Sequence, residues 1–259
     1  MSAASVDLCV WGEERAFGEL RARGLRVQAN GRTVPAMLWR AADADDRARP
    51  LVLVQHGGSG HKADDAVLQQ VQLLVGDGSC LVATIDGPIH GDRVASPAAG
   101  EQMRNRFLDQ WRTDPMIDSM VQDWQAVLNK LCELPQVDAQ RIGWMGTSMG
   151  TAYGLPFVAA CPQVKAAVLG KWSGDYANSE RLMRDAPAVL CPVLFIQHWH
   201  DELFSRDGTL ALFDRIGSSD KRLHLFTGSH FQRGGEPLID AVAHLHRYLD
   251  LEATARPTR

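Results

Sequence analysis

Three side chains of this sequence could act together as a nucleophile, a base and an acid: Ser148, His230 and Asp201. Ser148 is the centre of Gly146-Thr147-Ser148-Met149-Gly150, a Gly-x-Ser-x-Gly pentapeptide. Residues 141–145 before it read as a strand and residues 151–155 after it as the opening of a helix. A serine at a sharp strand-to-helix turn projects its hydroxyl clear of the backbone, and the turn demands small flanking residues. Gly146 and Gly150 supply them. A serine hydroxyl is a poor nucleophile at neutral pH, so it needs a base within hydrogen-bond reach and an acid to orient that base. In open α/β sheets such groups gather beyond the carboxyl ends of the strands. The apolar run 194–197 leads into His198-Trp199-His200-Asp201-Glu202, and the run 223–226 into Thr227-Gly228-Ser229-His230-Phe231. Asp201 and His230 thus follow Ser148 at strand ends, in the order Ser, Asp, His associated with this kind of serine turn.

The expected chemistry is acyl transfer. Ser148 attacks a carbonyl carbon, His230 takes and returns the proton, and Asp201 holds the histidine tautomer. The backbone N–H groups of Met149 and Gly58 are the expected donors to the oxyanion. Trp172, Trp199 and Phe231 lie near strand ends and could form an apolar substrate wall, and Arg93 could hold a substrate carboxylate. Packing is an equal expectation for Trp199, and a structural role is one for Arg93. Glu202 and Asp175 are rivals for the acid, and His224, His198 and His200 for the base. His56 and His90 read as partners of loop backbone rather than as reacting groups. The pairs His198-x-His200 and His244-x-His246 have ligand-like spacing but no third ligand in sequence. No metal is expected.

These residues must be positioned by alternating strands and helices. Asn30-Gly31 sits between two alternating segments, a strong hairpin signal. The runs 51–55, 80–85, 165–170, 193–197 and 222–226 read as buried strands, and 63–75, 115–134, 207–216 and 237–251 as helices, with Pro115 near the first helical position. Residues 87–114, rich in Gly, Pro, Arg and Asp, read as a long connection with one helical turn around 103–111. This segment and 172–190 are the expected covers of the site. The pattern implies one α/β domain over residues 1–259, its mostly parallel sheet clothed on both faces.

Bulk properties narrow the function. The 259 residues carry a formal net charge of -4, and no Lys/Arg-rich block offers a nucleic-acid footprint. Five scattered cysteines without C-x-x-C spacing argue for a reducing, cytoplasmic setting. Asp7, Glu13 and Glu14 interrupt the stretch where a signal peptide would need apolar residues, and no run approaches a membrane span. The expected partner is a small-molecule ester, with no nucleic acid and no membrane; a homodimer is an open alternative.

With His56-Gly57-Gly58, residues 86–91 (DGPIHG), the serine turn, Asp201 and His230 in view, the chain resembles the α/β-hydrolase superfamily, in particular its dienelactone-hydrolase-like and acyl-peptidase-like serine esterases. The resemblance spans about residues 51–235 and implies an eight-stranded, mostly parallel sheet, a serine acyl-enzyme and no cofactor. It departs at the nucleophile, since dienelactone hydrolases carry cysteine there. It departs also between Gly170 and Pro192, too short a stretch for a large lipase cap. The function implied is hydrolysis of a small-to-medium carboxylic ester, thioester or lactone. The alternatives are a non-catalytic ligand-binding protein of the same fold and a peptidase or amidase, which normally carries a propeller that the 50 residues before Leu51 cannot hold.

Overall fold

The computed structural model describes residues 9–76, 78–232 and 234–251. Asp7, from the signal-peptide argument, lies outside them. The chain opens with three antiparallel strands, β1 (Cys9–Phe17), β2 (Leu20–Ala29) and β3 (Arg32–Ala41). Asn30 and Gly31 join β2 to β3 with φ of 48° and 78°. Both values are positive, as a two-residue hairpin matching the strand twist requires, and only Gly and Asn adopt them readily. Then follow β4 (Arg49–Gln55), α1 (Asp65–Val75), β5 (Leu81–Ile85), α2 (Gly100–Thr113), α3 (Ile117–Cys132), β6 (Val137–Met145) and α4 (Met149–Ala160). The chain continues through β7 (Val164–Gly170), α5 (Glu180–Asp185), β8 (Val193–His200), α6 (Arg206–Arg215), β9 (Lys221–Ser229) and α7 (Glu236–Leu249).

Among the described residues the strands form one nine-stranded sheet in the order β1-β2-β3-β5-β4-β6-β7-β8-β9, parallel from β5 to β9 and antiparallel before it. Every residue of β4 and β5 is buried, which is why both read as unbroken apolar runs. On one face α1 and α7 pack Val67, Val71, Leu74, Leu238, Leu245 and Leu249 against Val52, Val54, Val168 and Ile196. On the other, α2 to α6 bury a core that includes Trp111, Trp124, Trp144, Phe157 and Trp172.

Three expectations change. The sheet has nine strands rather than eight, because β1 adds an antiparallel edge. Most of β1 is exposed and carries Glu13, Glu14 and Arg15, so it lacks the alternation that reveals a strand. The 87–114 connection contains a fourteen-residue helix, α2, rather than a single turn. It is strongly polar except for Met103, Phe107, Leu108 and Trp111; Met103, Phe107 and Trp111, about one residue per turn, are the three it buries, and Leu108 packs half-buried against the same core. Pro115 also falls just outside α3, whose first helical residue is Ile117.

Candidate active site

Ser148 occupies a turn that few residues tolerate. Its backbone has φ 59° and ψ -122° between the end of β6 and the first residue of α4. A Cβ on Gly146 would lie 2.9 Å from Gly150 Cα, and one on Gly150 would lie 2.9 Å from the Gln55 carbonyl oxygen. Both glycines therefore answer to backbone that cannot retreat. The turn is tied to the neighbouring strand end, where Ser148 N–H donates to Gly170 O at 2.9 Å. Thr151 Oγ1, fully buried, accepts from Gly170 N–H at 2.7 Å and lies 2.6 Å from Gly170 O and 3.1 Å from Gly146 O.

Asp201 and His230 arrive from the loops after β8 and β9. His230 Nε2 lies 3.0 Å from Ser148 Oγ, and His230 Nδ1 lies 2.9 Å from Asp201 Oδ2. An ionised carboxylate only accepts, so Nδ1 carries the proton and Nε2 faces the serine hydroxyl as acceptor. Asp201 Oδ1 takes the N–H groups of Leu203 and Phe204 at 2.9 and 3.0 Å. Burial pushes the Asp201 carboxyl upward, but the His230 bond and charge and these two N–H groups outweigh it, so its pKa lies below the ordinary value. The rivals are placed elsewhere. Glu202 accepts the His230 main-chain N–H at 2.8 Å, and Asp175 accepts from Ser205 Oγ at 2.5 Å. His224 pairs with Asp240 at 2.6 Å, and His198 Nδ1 meets Ser229 O at 2.6 Å.

The loop after β4 brings Gly58 to the same place. His56 Nδ1–H donates to Gly57 O at 2.8 Å while its Nε2 accepts Gly87 N–H at 2.9 Å. In a planar trans peptide the Gly58 N–H points opposite to the Gly57 carbonyl, so His56 fixes the direction of that donor. His90 Nε2–H donates to Gly58 O at 3.1 Å and fixes the next peptide in the same way. Burial lowers both histidines to about 3, so they stay neutral and keep these tautomers. The Met149 N–H opens α4 and, like all first-turn donors, has no intrahelical acceptor.

The matched family model is that of the dienelactone hydrolase family, over residues 92–230 of the 259. The chain belongs to this family. Among solved structures, a cold-adapted esterase from an Arctic intertidal metagenomic library is 33% identical in its PEG-bound complex, with a TM-score of 0.80 over 92% of this chain and 97% of that one. Its native structure is 32% identical, with a TM-score of 0.74 over 93% and 99% of the two chains. An acetyl xylan esterase from Paenibacillus sp. R4 shares the fold at 15% identity, with a TM-score of 0.68 over 95% of this chain and 88% of that one. A search among curated proteins gave no match. With the family comes the enzyme class, a carboxylic ester hydrolase of the α/β-hydrolase fold.

In this hydrolase a cavity of about 140 Å³ opens at Ser148 and His230 and runs between α1 and α7. Its walls include Val67, Met145, Val168, Ile196 and Leu238, with Arg104, Phe107 and Phe231 also contributing. Phe231 lines it, stacked under the Arg104 guanidinium at 4.4 Å. Three other expectations are corrected. Trp172 is fully buried, packed against Trp111 and Phe204 with its indole N–H on Ser179 Oγ at 3.0 Å. Trp199 is exposed beneath Arg206 at 3.7 Å and lines none of the cavity. Arg93 is taken by the buried Asp123 carboxylate at 2.8 Å and by Asp86 O at 2.9 Å, and it does not line the cavity. The segment 172–190 supplies no wall, whereas α2, within 87–114, does. Arg104 and Phe107 were not singled out in the sequence, because 103–111 read as a single turn in a long connection rather than as part of a fourteen-residue helix. Among the described residues no three His, Cys, Asp or Glu side chains gather as a metal site, and no helix is long and apolar enough to cross a membrane.

Proposed function

We propose that this chain hydrolyses small carboxylic esters through an acyl-enzyme formed on Ser148. The observation that carries this reading is the unbroken line from Ser148 Oγ to His230 Nε2, 3.0 Å, and from Nδ1 to Asp201, 2.9 Å, at the mouth of a cavity. His230 takes the serine proton as Oγ bonds to the ester carbonyl carbon, and the negative oxygen that forms is met by the N–H groups of Met149 and Gly58. The tetrahedral intermediate expels the alcohol, which receives the proton from His230. Water then repeats the sequence to release the acid and restore Ser148. Asp201 stays ionised and stabilises the imidazolium at both steps.

The size of the cavity argues for short groups. Its volume of about 140 Å³ falls well below the roughly 300–1,000 Å³ of pockets that enclose drug-sized ligands. All five cysteines are free, which fits a cytoplasmic enzyme. A panel of p-nitrophenyl esters of increasing acyl length, run beside thioesters, lactones and aminoacyl amides, tests the reading. Acetate and butyrate esters should turn over fastest, and Ser148→Ala should abolish turnover. Turnover of amides alone, or full activity in Ser148→Ala, contradicts it.

A further inference from the structure

Lys171 and Glu202 have no part in the steps above, yet both reach His230. Lys171 follows β7 with φ 50°, a left-handed backbone that long side chains seldom adopt. Its root is fixed beside the nucleophile, because the preceding carbonyl, Gly170 O, accepts Ser148 N–H at 2.9 Å and Lys171 N–H donates to Ile196 O at 2.9 Å. The side chain is 8% exposed and borders the cavity. Its ammonium donates to His230 O at 3.1 Å and to Gln232 O at 2.8 Å. From the other side of the same residue, Glu202 Oε2 accepts His230 N–H at 2.8 Å.

Burying an ammonium is costly unless hydrogen bonds compensate it, and a methionine would fill the same space without that cost. His230 lies just past β9, the edge strand of the sheet among the described residues, where no outer strand fixes its main chain. The geometry points to a main-chain clamp in which Lys171 and Glu202 are positioning residues, gripping the carbonyl and the N–H of His230 so that its imidazole meets Ser148. Asp201 then sets the ring, while the clamp sets the backbone that carries it. The lysine also makes the link direct, since its own backbone is bound to the nucleophile turn. This inference rests on the serine-hydrolase reading above.

The test compares Lys171→Met, Glu202→Ala and Glu202→Gln with His230→Ala, using p-nitrophenyl acetate and a fluorophosphonate probe on folded protein. Misplacing a catalytic group by about 1 Å can cost about 100-fold, so Lys171→Met should lower kcat by about 10- to 100-fold with KM unchanged. Labelling of Ser148 should slow by the same factor. Glu202→Ala should lose about tenfold in kcat. Glu202→Gln should recover most of that loss, because the amide oxygen accepts the same N–H. A folded Lys171→Met with a lowered Tm but wild-type kcat and labelling rate would overturn the clamp, as would a Glu202→Gln as impaired as Glu202→Ala. If Lys171→Met does not fold, the two Glu202 variants decide alone. Wild-type turnover in His230→Ala would instead overturn the serine-hydrolase reading, so the two failures are distinct.

Discussion

The two halves of the proposed active site are built in opposite ways. The nucleophile half is local: five consecutive residues, two of them glycines pressed against fixed backbone, impose φ 59° on Ser148. The base half is assembled from a distance. His230 is held by Asp201 and Glu202 from the loop after β8 and by Lys171 from the end of β7. Strain specifies the first half and hydrogen bonds specify the second. Damage to the nucleophile turn should therefore cost stability, whereas damage around the base should cost rate in a protein that still folds.

Asp201→Asn should break the comparison open most widely. Asp201 Oδ1 already takes two N–H groups, so the amide oxygen keeps that place and the NH2 turns toward His230 Nδ1. The imidazole is then forced into the wrong tautomer, and kcat should fall about 10⁴-fold while the urea midpoint stays near that of the parent. A large loss of stability with little loss of rate would reverse the proposed division. Gly150→Ala should show the opposite profile. Its methyl group would press on Gln55 O at 2.9 Å, and overpacking of this kind costs about 1–3 kcal/mol in urea unfolding.

The neighbouring loop carries a smaller, pH-dependent effect. His56 and His90 have native pKa values of about 3, against about 6.5 for unperturbed histidine. The unfolded chain therefore binds more protons between these limits. Their contribution is fully present above about pH 6.5 and is lost as pH falls toward 3, by about 1.4 kcal/mol per unit for each histidine. Unfolding free energies from urea titrations should fall over that window, with a shallower slope in His90→Gln. An unchanged slope in the variant would remove His90 from the loop's support.

The same contrast explains what was legible in the sequence. The serine turn was, because strain leaves a signature in neighbouring residues. The order of Ser148, Asp201 and His230 at strand ends was legible too, since buried parallel strands are apolar runs whose ends are easily found. Position in the turn favoured Asp201 over Glu202, but the role of the second carboxylate was not legible; the fold directs one to the ring and the other to the main chain. Trp172 sits close in sequence to a strand end and Arg93 in the connection expected to cover the site, but the one side chain turns into packing and the other into a buried ion pair. The 87–114 segment was legible as a wall of the site, but the extent of α2 was not, because a helix that buries about one residue per turn and is polar over most of its length looks like a loop. β1 stayed hidden because an exposed edge strand has no buried face to mark it.

The central claim is that Ser148 is a nucleophile activated by His230. The most direct measurement is peptide mass mapping after treatment of the folded enzyme with a fluorophosphonate. The account predicts a single adduct on the peptide containing Ser148, with concurrent loss of ester turnover and no adduct in His230→Ala. An unlabelled Ser148 in enzyme whose ester turnover has been blocked, or equal labelling in His230→Ala, would contradict it.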